Sequence, residues 1–372
     1  MSNKQKVLTI AGTRPELIRL SEIIKKFNIF FSHKLIFTNQ NFSKELSDYF
    51  IKNFDIKIDY NLKIKNKTPS SSISEIIYKF EKILDIEKPD ACFVLGDTNS
   101  ALGSIVAKKK KIPVFHYEAG NRCFDERVPE EVNRKIIDHL ADINLTYSNA
   151  AKQNLLNEGI DLKNVFKIGS PLYEVFNSNK SKIENSKILN KLKLNKFDYF
   201  VASIHREENL DNTKKINFLF KFLNNIAKKY NKKILFSTHP RTLKILKKNK
   251  INLDSRIIIS KPLDYFDYCK LQINSIFVFS DSGSISEEAY IMNFKALNLR
   301  DTHERHEAME IATVPMISFE KNTNLRFIEN LIKSKRVLDK LEEYEVKNVS
   351  AKVTNIVSSY IEHVNTFKYL KK

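Results

Sequence analysis

Residues 116–134 read HYEAGNRCFDERVPEEVNR, placing five carboxylates and three arginines within nineteen residues. The segment directly before them, 114–117, is short and largely apolar, as expected of a buried strand. Charged groups just past the carboxyl end of a parallel strand face a ligand crevice rather than bulk solvent. Glu118 and Glu130 are therefore the acids best placed for proton transfer or for stabilising positive charge. Each also has a purely structural use within reach. Glu118 can pair with Arg122, and Glu130 or Glu131 with Arg134 one helical turn on, each pair worth under ~1 kcal/mol if exposed. Asp97, just past another strand at 91–95, can face the same crevice or cap the helix that follows.

Other strand ends carry a second kind of chemistry, the holding of anions. In Gly12-Thr13-Arg14-Pro15-Glu16 a strand turns into a helix, with Pro15 in the first turn and Arg14 at a helix N-terminus, where anions bind. In Ser280-Asp281-Ser282-Gly283-Ser284, small residues let a phosphate approach backbone N–H groups at a helix start. Ser284 with Glu287 also fits a simple capping box, and Glu288 is either a ribose acceptor or a solvated helix carboxylate. Histidines recur at strand ends as well, His205 in HREEN and His239 in THPRT. Metal chemistry is not indicated: no HExxH or HxH pair occurs, and His303 with His306 has only Glu304 and Glu307 nearby. No GxGxxG follows the first strand, which argues against a dinucleotide there.

These loops need a scaffold of alternating strands and helices, and the periodicity supplies one. Strands are expected at 6–11, 34–38, 91–95, 114–117 and 143–147. Ile73, Ile76, Ile77, Phe80, Ile83 and Leu84 mark an amphipathic helix, with Ser72 and Glu75 as its expected capping box. After a polar segment without strand character, 177–195, the alternation starts afresh, with strands at 199–204, 233–237, 256–260, 275–280 and 296–299. The expectation is an α/β chain of two Rossmann-like, doubly wound lobes with an interlobe cleft: 1–177 carrying the carboxylates, 196–349 binding a nucleotide, and a final helix within 350–372 packing back on the first lobe.

Composition narrows the class further. A chain of 372 residues, 42% hydrophobic, is long enough for two cores. The net charge of +19 is spread along the whole length without a helix-turn-helix, finger or aromatic-basic sheet motif, so nucleic-acid binding is not expected. Three cysteines without CxxC spacing indicate neither a disulfide framework nor a zinc ribbon. No run reaches the ~20 apolar residues of a membrane span and MSNKQKVLTI has no signal-peptide core, so a cytoplasmic protein is expected.

Taken together, GTRPE (12–16), GDTNS (96–100), the 116–134 segment, HREEN (205–209), THPRT (238–242), SDSGSISEEA (280–289) and RDTHER (300–305) resemble the non-hydrolysing UDP-N-acetylglucosamine 2-epimerase family, in order and spacing over nearly the whole chain. The resemblance implies the glycosyltransferase-B type of fold, a UDP-sugar substrate, no cofactor and no metal, and a homodimer. It carries over Asp97, Glu118, Glu130 and His205 as catalytic residues. Arg14, His205, Ser282, Gly283 and Ser284 match diphosphate contacts, Glu288 the ribose contact, Arg305 a further ligand contact and Arg19 a basic active-site position, while Tyr268 matches a uracil-pocket residue. The short GNRCFDERVPEE segment and DINLTYS (142–148) are similar to the UDP-N-acetyl-L-fucosamine synthase branch, which acts at C2 of UDP-2-acetamido-2,6-dideoxy-L-talose in making a capsule or O-antigen sugar. Ser284 in place of a second glycine and His306 in place of a proline depart from the parent pattern.

Inversion at C2 of such a sugar has a chemical requirement of its own. The C2 hydrogen is not next to a carbonyl, so a side chain cannot take it directly. Either a neighbouring carbon is oxidised, which needs a nicotinamide, or the C1–O bond breaks first. Without a dinucleotide fingerprint the second route fits these residues. Carboxylates then stabilise charge at C1 and move the C2 proton, while arginine, histidine and a helix N-terminus receive the departing diphosphate.

Overall fold

Buried, near-continuous apolar runs make these strands parallel and interior, because only a sheet covered on both faces hides every side chain of a run such as Ala91–Leu95. The computed structural model describes residues 4–38, 44–65, 68–210, 212–238, 242, 245–246, 251–261, 263–317, 325–336 and 338–371. Among them, β1 (Lys6–Ala11), β2 (Ser32–Phe37), β3 (Tyr60–Asn61), β4 (Ala91–Leu95), β5 (Val114–Tyr117), β6 (Ile143–Thr146) and β7 (Val165–Lys167) form one sheet in the order β3-β2-β1-β4-β5-β6-β7. β8 (Tyr199–Ser203), β9 (Lys233–Ser237), β10 (Ile257–Ser260), β11 (Phe277–Ser280) and β12 (Ala296–Asn298) form a second, ordered β10-β9-β8-β11-β12. All ladder pairings are parallel. Two such sheets, each wrapped by helices, are the glycosyltransferase-B type of α/β fold.

Strand order dictates where each unit opens. In the first sheet the order reverses between β1 and β4, and in the second between β8 and β11. Helices after the flanking strands leave toward opposite faces at these points, so a crevice opens past the carboxyl ends. The loops there are 12–13 and 96–98 in the first unit and 204–206 and 281–284 in the second.

Contacts divide the chain into Met1–Val175 with Glu342–Lys372, and Phe176–Leu341. In the first unit Ile10, Ile36, Phe80, Val94 and Val114 are among the side chains of a dry core. The helix Val349–His363 buries Val353, Val357 and Ile361. Its start is fixed where Ser350 donates to Glu174 at 2.6 Å, and beyond its end Tyr369 donates to Asp142 at 2.9 Å. In the second unit Phe200, Phe279, Phe236 and Leu223 pack together, with Phe222 edge-on to Phe279 at 5.3 Å. The strand-poor stretch contributes the short helices Lys180–Glu184 and Ile188–Lys191 to this second unit.

One local expectation is corrected. The helix expected to start at a Ser72/Glu75 capping box starts earlier, as Pro69–Glu87, capped by Thr68, whose hydroxyl accepts the Ser71 N–H. Pro69 sets φ for the first turn without a donor to lose, and Glu75 instead pairs with Lys79 and accepts the Lys65 N–H. Among the described residues, no helix is long and apolar enough to cross a membrane.

Candidate active site

The first unit gathers its acids at adjacent strand ends. Leu95 of β4 lies beside Tyr117 of β5, so Asp97 and Glu118 leave the sheet as neighbours. Glu118 has φ 73°, a left-handed conformation that costs a non-glycine residue of order 1–3 kcal/mol and that turns the chain sharply at the end of β5. Gly120, at φ 79°, completes the turn; a Cβ there would lie 2.1 Å from the Ala151 carbonyl oxygen, so only glycine fits.

Each acid is held by an arginine, but not by the one nearest in sequence. Arg19, on the helix Arg14–Phe30, donates through Nη1 to both Glu118 oxygens at 2.7 and 2.6 Å, and the Tyr147 hydroxyl adds a bond at 3.3 Å. Arg122, the partner local spacing offered, is buried on Asp138 and Glu158 instead, at 2.6 Å each. Arg134 bridges two acids, Asp97 at 2.6 Å and Glu131 at 2.8 Å. Asp97 therefore does not act as a helix cap, and the next turn, Asn99–Gly103, has no side-chain cap from its Thr98. Glu131 also accepts the N–H groups of Cys123 and Phe124, closing the 120–131 segment on itself; these bonds and Arg134 hold its carboxyl below the usual range against the opposing effect of burial. Glu130, one residue earlier, is half-buried at the start of the helix Pro129–Leu140.

Around the loop after β1, Thr13 and Glu16 form the capping box of the helix Arg14–Phe30, Glu16 accepting the Gly12 N–H at 2.5 Å. Glu16 is almost wholly buried, and burial pushes its carboxyl up to about 7, with the Asp97 charge adding to the rise. Arg14 lies with its guanidinium 5.0 Å from the centre of the Tyr49 ring. The Thr-x-x-Glu pattern that marks Glu16 was available in the sequence.

The second unit holds the anion-binding elements at its own switch point. Asp281, fully buried, accepts the backbone N–H groups of His205 and Arg206 and the Asn209 amide, and lies 3.0 Å from His205 Nδ1. Burial alone would raise its carboxyl, but His205 and these donors hold it below the usual range. A carboxylate at Nδ1 fixes the ring and its tautomer, so Asp281 orients the half-exposed His205.

At the turn between β11 and the helix Ile285–Met292, a Cβ on Gly283 would lie 3.3 Å from Arg206 Nη2 and 3.8 Å from Arg300 Nη1. Guanidinium groups thus flank a turn that presents the Ser282 and Ser284 hydroxyls, 3.0 Å apart, at a helix N-terminus. The alternative Ser284/Glu287 capping box does not form: Ser284 donates to Glu288 at 2.5 Å, and Glu287 turns inward, 3.4 Å from the buried Arg305. Glu288 also accepts from Gln272 at 2.8 Å, and burial together with the Glu288 charge raises the phenol of the partly buried Tyr268. Thr238 and Thr242 are described, whereas His239 and Arg241 lie outside the described residues.

The sequence matches the family described as UDP-N-acetylglucosamine 2-epimerase over residues 24–358. A structure of UDP-N-acetylglucosamine 2-epimerase from Rickettsia bellii is similar with TM-score 0.92 and 41% identity, over 99% of this chain and 100% of that one. The Methanocaldococcus jannaschii enzyme, solved in complex with UDP-GlcNAc and UDP, is similar with TM-score 0.89 and 32% identity, over 95% of this chain and 100% of that one. A Pseudomonas aeruginosa UDP-2,3-diacetamido-2,3-dideoxy-D-glucuronate 2-epimerase is 30% identical over 80% of this chain and 84% of its own length.

Proposed function

The chain belongs to the non-hydrolysing UDP-N-acetylglucosamine 2-epimerase family, a family of isomerases acting on UDP-sugars, and from that premise we propose that it inverts C2 of a UDP-2-acetamido sugar by eliminating UDP and adding it back. The reading rests chiefly on one observation: Asp97 and Glu118 stand at neighbouring strand ends, each fixed by its own arginine. Acids held in this way keep their geometry while positive charge builds beside them, without reorganising at the moment of reaction.

The steps follow from that arrangement. The C1–O bond breaks and its electron pair leaves with the diphosphate. Arg14 and His205, the hydroxyls of Ser282 and Ser284, and the backbone at Gly283 receive that charge, while Arg305 supplies a further contact. As C1 becomes electron-poor the C2 hydrogen becomes acidic, and one of Asp97, Glu118 and Glu130 takes it, leaving a C1=C2 double bond. A second acid returns a proton to the opposite face of C2, and the diphosphate oxygen adds again at C1. Glu288, steadied by Ser284 and Gln272, accepts from the ribose, and Tyr268 lines the uracil side. General acid/base transfer of this kind contributes about 10²–10⁴-fold to the rate.

For the sugar, we propose UDP-2-acetamido-2,6-dideoxy-L-talose, giving UDP-N-acetyl-L-fucosamine for a surface polysaccharide; the short 120–131 segment, resembling that branch, supports it. UDP-N-acetylglucosamine is the second reading, favoured by the names of the Rickettsia and Methanocaldococcus relatives. Incubation with each sugar separately in deuterated water, followed by proton NMR, tests both. A new C2 epimer carrying deuterium at C2 from one sugar alone identifies the substrate; if neither sugar exchanges at C2, the epimerase mechanism is wrong.

A further inference from the structure

The second sheet has an unassigned cavity at the end opposite its phosphate-binding turn. It lies by Phe277 and Ala296, the first residues of β11 and β12, whereas Ser282–Ser284 follow the carboxyl end of β11. Its volume is about 140 Å³, the share of roughly four or five water molecules in liquid water. Lys295, Lys335 and Arg336 line it together with the hydroxyl-bearing Thr313 and Ser334, and no carboxylate is among its described lining residues.

The charges there are poorly compensated. Arg336, partly buried, donates to the carbonyls of Ala289 and Phe294 at the end of the helix Ile285–Met292, and weakly to Thr313 at 3.5 Å. Lys295 donates to the Ile332 carbonyl at 2.7 Å. These carbonyls belong to helix ends and to the adjoining chain, so they offset the cations only in part. A guanidinium has five donors and an ammonium three, which leaves donors on both side chains. Burial lowers both groups, Arg336 to about 10, and the Arg336 charge lowers Lys295 further. Thr313 is 95% buried (5% exposed), and its hydroxyl has no hydrogen-bond partner among the described residues. Two partly buried cations beside one another, with Arg336 lowering Lys295, raise each other's energy, and an oxyanion supplies a compensating charge and further acceptors.

We propose that this cavity binds an oxyanion of phosphate size, held by Lys295 and Arg336, with Lys335 at its rim and Thr313 in its wall. A free phosphate and the phosphoryl group of a small monoester share the required chemistry. Because the cavity lies at the opposite strand ends from the proposed diphosphate turn, it does not overlap the place proposed for the nucleotide.

Calorimetric titration of inorganic phosphate into the full-length protein tests this, at constant ionic strength against chloride and with saturating UDP present. A parallel titration with phenyl phosphate separates the two ligand sources: binding of both places a monoester within the site's reach, and binding of inorganic phosphate alone restricts it to the free ion. Saturable binding that UDP does not displace is expected, weakened at least tenfold in Lys295→Met and about threefold in Lys335→Met, with epimerase activity retained. Lys335 is exposed, so its variant keeps the test sound if loss of the Lys295 contact to Ile332 disturbs folding. Absence of saturable binding of either probe, displacement by UDP, or unchanged affinity in both variants would overturn the proposal.

Discussion

Replacing Arg19 by methionine isolates the question of how Glu118 is held. The two side chains are only 13% and 12% exposed, and one guanidinium nitrogen serves both carboxylate oxygens at 2.7 and 2.6 Å. Methionine keeps most of the volume and removes the donor. Hydrogen bonds to charged groups are worth about 1.5–3 kcal/mol, and every ~1.36 kcal/mol is tenfold in rate. If the whole of that interaction serves to fix Glu118 in the transition state, Arg19→Met lowers kcat/KM by about 10- to 150-fold. Glu118→Gln, which removes the reacting group itself, lowers it by about 10²–10⁴-fold. The decisive comparison is the double variant, because a residue acting only through Glu118 has nothing left to position once Glu118 is gone. Activity is read as the initial rate of C2 epimer formation by NMR over a range of substrate concentrations, with circular dichroism confirming the fold. The double variant is expected to match Glu118→Gln. If the two losses instead multiply, Arg19 makes a separate contribution to the reaction and the positioning argument is refuted; a loss under threefold in the single variant refutes it as well.

Other consequences are smaller in scope. Glu16, with its carboxyl raised to about 7 by burial, favours the protonated folded state. Its stabilising contribution is fully present below pH ~4.3, the unfolded value, and disappears as pH rises through about 7, a change of roughly 2–4 kcal/mol. Urea titrations across that range are expected to show this slope in the native chain and not in Glu16→Gln; equal slopes would exclude it. Asp281 has the opposite sign: its lowered carboxyl stabilises the second unit above the ordinary aspartate range, and that contribution is lost as pH falls through the folded value. Asp281→Asn is therefore expected to flatten the acid limb of the unfolding profile, and an unaltered acid limb would contradict this. Arg122→Met strands the fully buried Asp138 and is expected to cost about 3–5 kcal/mol in denaturant unfolding; a cost below about 1 kcal/mol would refute the idea that Asp138 depends on Arg122. Gly120→Ala combines a positive φ with a backbone clash and is expected to destabilise by at least about 2 kcal/mol; a neutral variant would show that the turn can relax.

The long parallel strands were legible because burial on both faces writes itself into the sequence as apolar runs. The edge strands β3 and β7 were not, since two or three residues give periodicity nothing to repeat. Within the site, the loops that matter were found by their position after strands, but their ion pairs were not. Local spacing offered Arg122 to Glu118, whereas the fold brings Arg19 from a different helix. It offered Glu130 and Glu131 equally to Arg134, and the helix start directs Glu131 to the N–H groups of 123 and 124. Asp281 stood inside a recognised motif, yet its use as the anchor of His205 follows only from the adjacency of β8 and β11, which no local pattern encodes. Glu16 was within reach of reasoning, because a capping glutamate between a strand and a helix is expected to be partly buried.

The last residues of the chain belong to the unit built from the first. Since Glu342–Lys372 joins Met1–Val175 and everything between forms the other unit, the second unit is an insertion and the first a discontinuous domain. A ribosome making this chain completes all the residues of the second unit before it supplies the Ser350 and Tyr369 contacts to Glu174 and Asp142. The insertion is thus free to fold while its host still waits for its final helix, and the host's closure carries the entropy of joining ends separated by a whole domain. Stability of the carboxylate-bearing unit is accordingly sensitive to trimming at the far end of the chain. A rearranged chain joining 175 directly to 342, with the insertion moved to a terminus, is expected to fold that unit faster than the native order does.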